Sequence, residues 1–165
     1  MNAISRKARV FWPVCSLLLV ADCTAKNIAV DRLVPTQSLE VVDGLLRFTL
    51  SFNRGAGMGI SLGDFSRIGF GVAAVVAIAL LARVYRQTPS VRTWQLVALA
   101  LVCGGAAGNL LDRVRSDLGV VDFIDVGFGD HRFWIFNLAD AGLSIGALML
   151  AVLLWRQERR RPHGS

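Results

Sequence analysis

Four apolar stretches, over residues 10–30, 66–85, 93–112 and 133–155, dominate the chain. Each is near the ~20 residues that a helix needs to cross a ~30 Å hydrocarbon core. With 54% hydrophobic and only 18% charged residues, the 165-residue chain lies outside the norm for soluble domains. The expected fold is integral membrane and mainly α, a single membrane domain over residues 1–165 with four transmembrane helices. The last two spans are the clearest. The second is short unless it runs on past Arg83, whose charge can snorkel to the headgroups. The first is the least regular, with Pro13 early in it and Asp22 and Lys26 late.

Orientation follows from the basic residues. Arg6, Lys7 and Arg9 precede the first span, Arg83, Arg86 and Arg92 fill the short link between the second and third, and Arg156, Arg159, Arg160 and Arg161 follow the fourth. The positive-inside rule then puts both termini in the cytoplasm. Of the twelve acids, only Glu158 falls on that side. The net charge of +6 thus reads as topology plus attraction to anionic membrane lipid. It is not a nucleic-acid footprint, because no basic-aromatic binding pattern accompanies it. Val20-Ala21-Asp22-Cys23 superficially resembles a lipoprotein cleavage box, but the residue before the cysteine should be small and neutral, and three more spans follow.

Between the first two spans, Leu46, Phe48, Leu50 and Phe52 alternate with Arg47, Thr49, Ser51 and Asn53, the two-residue period of a half-buried strand. Leu39 to Val42 can pair with it through Asp43-Gly44, a dipeptide suited to a tight turn. A small extracytoplasmic β-ribbon over about residues 38–62 is therefore expected. It leads into Asn53-Arg54-Gly55-Ala56-Gly57-Met58-Gly59, whose glycines allow close backbone approach. No Lys-Ser/Thr follows, so a phosphate-cradling loop is a poor reading, and a flexible turn is the plainer one.

The polar residues at span ends carry the functional signal, since an ionised group at bilayer depth is costly unless paired or wetted. Asp22 and Lys26 share a helix face at i and i+4 and can neutralise each other, as a plain interfacial pair would. In the third span, Gly104-Gly105-Ala106-Ala107-Gly108 suits close helix packing, which explains the glycines but not the polar residues that follow. Asn109 and Arg113 lie on one face at the outer mouth, where Arg113 can clamp carbonyls, carboxylates or phosphate, or act only as an interfacial anchor. Asn137 and Asp140 share a side at the start of the fourth span, and Asp122 is expected on the loop leading there. If the two carboxylates converge, both cannot ionise cheaply, so the pair retains a proton near neutral pH. A water held between them can attack an amide, with one Asp as base and the other as acid. The bland alternative makes Asp122 and Asp125 ordinary loop acids and Asp140 a local cap. Cys15, Cys23 and Cys103, with His131 and His163, show no metal-ligand spacing, so neither a metal nor another cofactor is expected.

Five separated motifs, Asp22 with Lys26, Asn53-Arg54-Gly55-Ala56, Gly105 to Arg113, Val120 to Asp125, and Phe136-Asn137-Leu138-Ala139-Asp140, together resemble the prolipoprotein signal peptidase (signal peptidase II) family along nearly the whole chain. The resemblance implies an aspartic-type endopeptidase of the bacterial cytoplasmic (inner) membrane, with its active site at the extracytoplasmic face. Its substrates would be diacylglyceryl-modified prolipoproteins, cut just before the lipidated cysteine. It further implies a catalytic dyad of Asp122 and Asp140, supported by Asn109, Arg113 and Asn137, with Asn53, Gly105, Asp22 and Lys26 as further family positions. A monomer is expected. Two other classes remain in view from the residues alone. One is a small polytopic transporter, although no inverted repeat or broken helix pair supports it. The other is a non-catalytic membrane scaffold that binds a partner along the ribbon.

Overall fold

Helix α1 (Ala3–Arg32), α2 (Ser66–Gln87), α3 (Thr93–Arg115) and α4 (Leu138–Arg159) form the body of the computed structural model, which describes residues 3–55, 63–128 and 131–159. All four are long and apolar enough to cross a membrane. At 1.5 Å per residue, 22 to 23 residues give a length of about 33 Å, matched to the hydrocarbon core. Their outward faces keep large apolar side chains exposed, among them Leu17, Val72, Val76 and Leu148. In a membrane, lipid covers this surface, so exposure there carries no hydrophobic penalty.

Helix α3 is central and packs against the other three. Its buried side chains are small or unbranched at Cβ: Leu96, Ala98, Leu99, Ala100 and Ala106. Further along, an added Cβ at Gly105 would collide with the backbone carbonyl of Ala139, so glycine alone lets α3 and α4 approach this closely. Cys15, buried on α1, packs with Phe11, Leu99 and Ala100, and Cys103 lies against the same cluster.

The extramembrane part is an antiparallel sheet in the order β1 (Ser38–Val42), β2 (Leu46–Asn53), β3 (Val120–Phe128), β4 (His131–Arg132). The β1–β2 turn passes through Gly44 at φ 64°, a left-handed conformation that costs glycine little. Glu40 steadies it by accepting a hydrogen bond from the Gly44 amide at 3.0 Å. Asp122, expected on a loop, lies on strand β3, register-paired with Ser51 of β2. The reason is legible after the fact, because Val120, Val121, Phe123, Ile124 and Val126 are β-branched or aromatic and suit a pleated surface. Residues 133–137 stay outside α4, and Phe136 bridges back to Ile124, so the last helix begins at Leu138. The Ala56-Gly57-Met58-Gly59 loop and the tail from Arg160 to Ser165, with His163, lie outside the described residues.

Candidate active site

The amino end of α4 is where the polar residues meet. Asn137 precedes the helix, and its side-chain oxygen accepts a hydrogen bond from the Asp140 amide at 2.9 Å, while Asp140 Oδ2 accepts from the Asn137 amide at 3.3 Å. This reciprocal cap satisfies two amides that a helix start would otherwise leave bare. A third, from Ala139, donates at 2.9 Å to Asp22 Oδ1 on α1. Asp140 is thus held in the first turn, where helix partial charge favours an anion.

Asn137, fully buried, also donates from Nδ2 to Asp122 Oδ1 at 2.6 Å. One residue therefore contacts both carboxylates, through its side chain to Asp122 and its backbone to Asp140. From β2, Asn53 Nδ2 donates to Asp122 Oδ2 at 3.1 Å, and its side-chain Oδ1 accepts from the Gly55 amide at 2.9 Å. On the other side, Asn109 Nδ2 donates to Asp140 Oδ1 at 2.7 Å. The orientation of that amide is fixed from behind: Asn109 Oδ1 accepts from Lys26 Nζ at 3.0 Å and from Asn137 Nδ2 at 3.2 Å.

Lys26 is only 2% exposed, yet it has three acceptors, namely Asp22 Oδ2 at 2.7 Å, Asp112 Oδ2 at 2.8 Å and Asn109. Two carboxylates and an amide oxygen thus surround the ammonium. A Cβ at Gly108 would sit 2.6 Å from Asp22 Oδ2, so a glycine is needed where the carboxylate passes α3. Arg113 donates to the carbonyls of Asn109 at 3.1 Å and Gly55 at 2.8 Å, clamping the end of β2 to α3, with its guanidinium 5.9 Å from the centre of the Phe70 ring.

Electrostatics separate the two extramembrane acids of β3. Burial, and then the charge of Asp140, push the Asp122 carboxyl from its ordinary 3.8 up to about 6, against the hydrogen bonds from Asn53 and Asn137. Asp125 is pulled the other way. Burial would raise its carboxyl, but hydrogen bonds from Arg47, Arg132 and Thr49 outweigh it and hold it below the usual range. Arg132 Nε reaches Asp125 Oδ1 at 3.0 Å, and Arg47, its register partner, pairs with Oδ2. Asp125 is thus a structural anion of the sheet, two-sided and saturated. Among the described residues, no three His, Cys, Asp or Glu side chains gather as a metal-binding group.

Asp140 opens onto a mostly apolar groove of about 340 Å³ lined by Val126, Phe133, Trp134, Phe136 and Ile145. A second groove, of about 560 Å³, runs between α2 and α3 up to Arg113. Asp140 thus borders an apolar groove, while Asp122 lies on the adjoining sheet.

All nine singled-out positions, Asp22, Lys26, Asn53, Gly105, Asn109, Arg113, Asp122, Asn137 and Asp140, converge on this end of the bundle. Gly105 acts through packing alone. Sequence reasoning missed Asp112, three residues after Asn109 on α3, which pairs with Lys26 of α1 at 2.8 Å and accepts from the Val121 amide at 3.2 Å. It also missed the pairing of Asp125, for which the alternation placing Arg47 on β2 was the available signal.

The sequence model of the family described as Signal peptidase (SPase) II matches residues 14–156. A lipoprotein signal peptidase of Geobacter sulfurreducens is 40% identical over 157 residues, covering 93% of this chain and 96% of its own. One from Pseudomonas fluorescens is 39% identical and covers 96% and 95%. A solved bacterial membrane enzyme superposes with a TM-score of 0.82 at 28% identity, over 92% of this chain and 91% of its own.

Proposed function

Because the chain belongs to the signal peptidase II family, a membrane aspartic-type endopeptidase that removes prolipoprotein signal peptides, we propose that Asp122 and Asp140 are the dyad that performs its cleavage. One observation carries the assignment: Asn137 bonds to both acids, and Asp140 borders an apolar groove beside β3. In this reading Asp122 holds the shared proton, consistent with its raised carboxyl. Asp140, at the groove, acts as the base.

The chemistry then closes without a protein nucleophile. A water between the acids gives a proton to Asp140 as its oxygen attacks the scissile carbonyl, and Asp122 gives its proton to the developing oxyanion. Collapse of the tetrahedral intermediate returns a proton to Asp122, while Asp140 passes its own to the departing amine. The products are the carboxylate of the signal peptide and the free α-amino group of the lipid-modified cysteine. Asn53, Asn109 and Asn137 keep the oxygens aimed, and Lys26 fixes Asn109 from behind. Burial strengthens each of these interactions and makes a pre-set geometry pay at the transition state.

The charge pattern supports an orientation with both termini cytoplasmic and the dyad at the extracytoplasmic face of a bacterial inner membrane. There, the signal helix and the diacylglyceryl chains can stay in the bilayer along the two grooves while the amide reaches water. We infer that the protein acts as a monomer, since the residues proposed for the site converge within one chain. Incubating purified protein with a diacylglyceryl-modified precursor should release a product starting at the modified cysteine, and unmodified precursor should remain whole. Equal cleavage of both, or undiminished cleavage by Asp140→Asn, would refute the assignment.

A further inference from the structure

At the opposite end of the bundle, α3 begins and α4 finishes around a cavity of about 580 Å³, which the chemistry above does not use. Asp140 and Arg156 are 16 residues apart on α4, which at 1.5 Å per residue separates this cavity from the dyad by about 24 Å. Two cations, Arg92 and Arg156, line it together with Gln95, Gln157 and Trp94. Neither arginine has an acidic partner among the described residues. Arg92 donates from Nη1 to Gln157 at 3.0 Å and to Gln95 at 3.3 Å, so neutral amides hold its guanidinium in place without cancelling its charge.

The cavity continues toward the bilayer centre. An apolar groove of about 390 Å³, bounded by Leu148, Met149, Val152 and Leu153, shares Trp94 and Arg156 with it. Leu148 to Arg156 spans eight residues, about 12 Å of helix. A charged mouth at the helix ends thus opens onto a narrow apolar trough running along the lipid-facing surface.

We propose that this cavity and groove bind one anionic glycerophospholipid, with its phosphate between Arg92 and Arg156 and an acyl chain against Trp94, Leu148 and Val152. Charge complementarity selects the occupant. Two guanidiniums without carboxylates suit a phosphodiester, to which the planar fork can donate in pairs. The amides of Gln95 and Gln157 suit headgroup hydroxyls. A peptide would leave the trough's depth along the bilayer unexplained, whereas a lipid has its charge and its chain in the order the protein presents them.

Native mass spectrometry of the full-length protein, extracted in mild detergent and titrated with phosphatidylglycerol or phosphatidylcholine, tests this directly. Wild type should retain one phosphatidylglycerol in preference to phosphatidylcholine. Each cation near an anionic lipid contributes about fivefold, so Arg92→Gln with Arg156→Gln should weaken retention about thirtyfold. Arg156→Gln alone, which removes no hydrogen bond among the described residues, should weaken it about fivefold and keeps the test valid if the double variant folds poorly. Arg83→Gln with Arg86→Gln lies at the same end of the bundle but outside the cavity, and should retain lipid as wild type does. Equal retention of both lipids, no loss in Arg156→Gln, or equal loss in the Arg83/Arg86 control would overturn the proposal. The last result would mean general surface attraction instead of a site.

Discussion

Neutralising Asp122 should stabilise the protein above about pH 6 while removing its activity. The carboxyl is 3% exposed and is raised from 3.8 to about 6. The folded state therefore binds the proton more tightly than the unfolded chain, and stability falls as pH rises from about 4 through 6. At 1.36 kcal/mol per pH unit, the interval from 3.8 to about 6 amounts to about 3 kcal/mol lost by pH 8. Asp122→Asn has no such loss. Its amide does bring one NH2 against a donor of Asn53 or Asn137, a pH-independent cost of about 1–2 kcal/mol. The variant should thus gain about 3 kcal/mol on wild type between pH 4 and pH 8, ending about 1–2 kcal/mol more stable. At about 2–4 °C per kcal/mol for a chain of this size, the difference in Tm should move by roughly 6–12 °C. Thermal unfolding in mild detergent, followed by far-UV circular dichroism at several pH values, reads this out. Parallel Tm curves for the two proteins would refute the claim that Asp122 is a buried carboxyl held partly protonated.

Asn137→Ala removes the contact with Asp122 and the side-chain cap of Asp140, and should lower kcat by about a hundredfold or more, with KM little changed; steady-state kinetics on lipid-modified precursor decides it. Lys26→Met strands Asp22, which is fully buried, and should cost about 3–5 kcal/mol in chemical denaturation, a loss under about 1 kcal/mol contradicting the paired-charge reading. Gly108→Ala forces a Cβ to 2.6 Å from Asp22 Oδ2 and should destabilise by about 1–3 kcal/mol, whereas Gly71→Ala, with nothing within 4 Å, should be neutral or mildly stabilising.

The membrane helices were legible in the sequence because lipid imposes length and apolarity together, and few other structures satisfy both. The ribbon was legible from the alternation between Leu46 and Asn53, reinforced by Gly44. Strand β3 was not, since Val120 to Phe128 is largely buried and carries Asp122 and Asp125 on opposite faces, so it shows no clean apolar-polar period of two. Among the site residues, spacing exposed Asn109 with Arg113 and Asn137 with Asp140, because partners on one helix turn share a face. Asp112 escaped for the same reason: its partners Lys26 and Val121 come from other elements. Likewise, Asp125 looked like a loop acid until pairing with Arg47 and Arg132 was visible. Contacts within one element follow from spacing, whereas contacts between elements follow from docking, which local pattern does not encode.

The dyad itself is tested most directly by comparing turnover of diacylglyceryl-modified precursor by Asp122→Asn, Asp140→Asn and the double variant, each with its fold verified. Two groups that act as one unit give losses that do not multiply. Each single variant should fall by at least about a thousandfold, and the double variant should fall no further. Substantial turnover by either single variant, or a double-variant loss equal to the product of the two, would contradict the account.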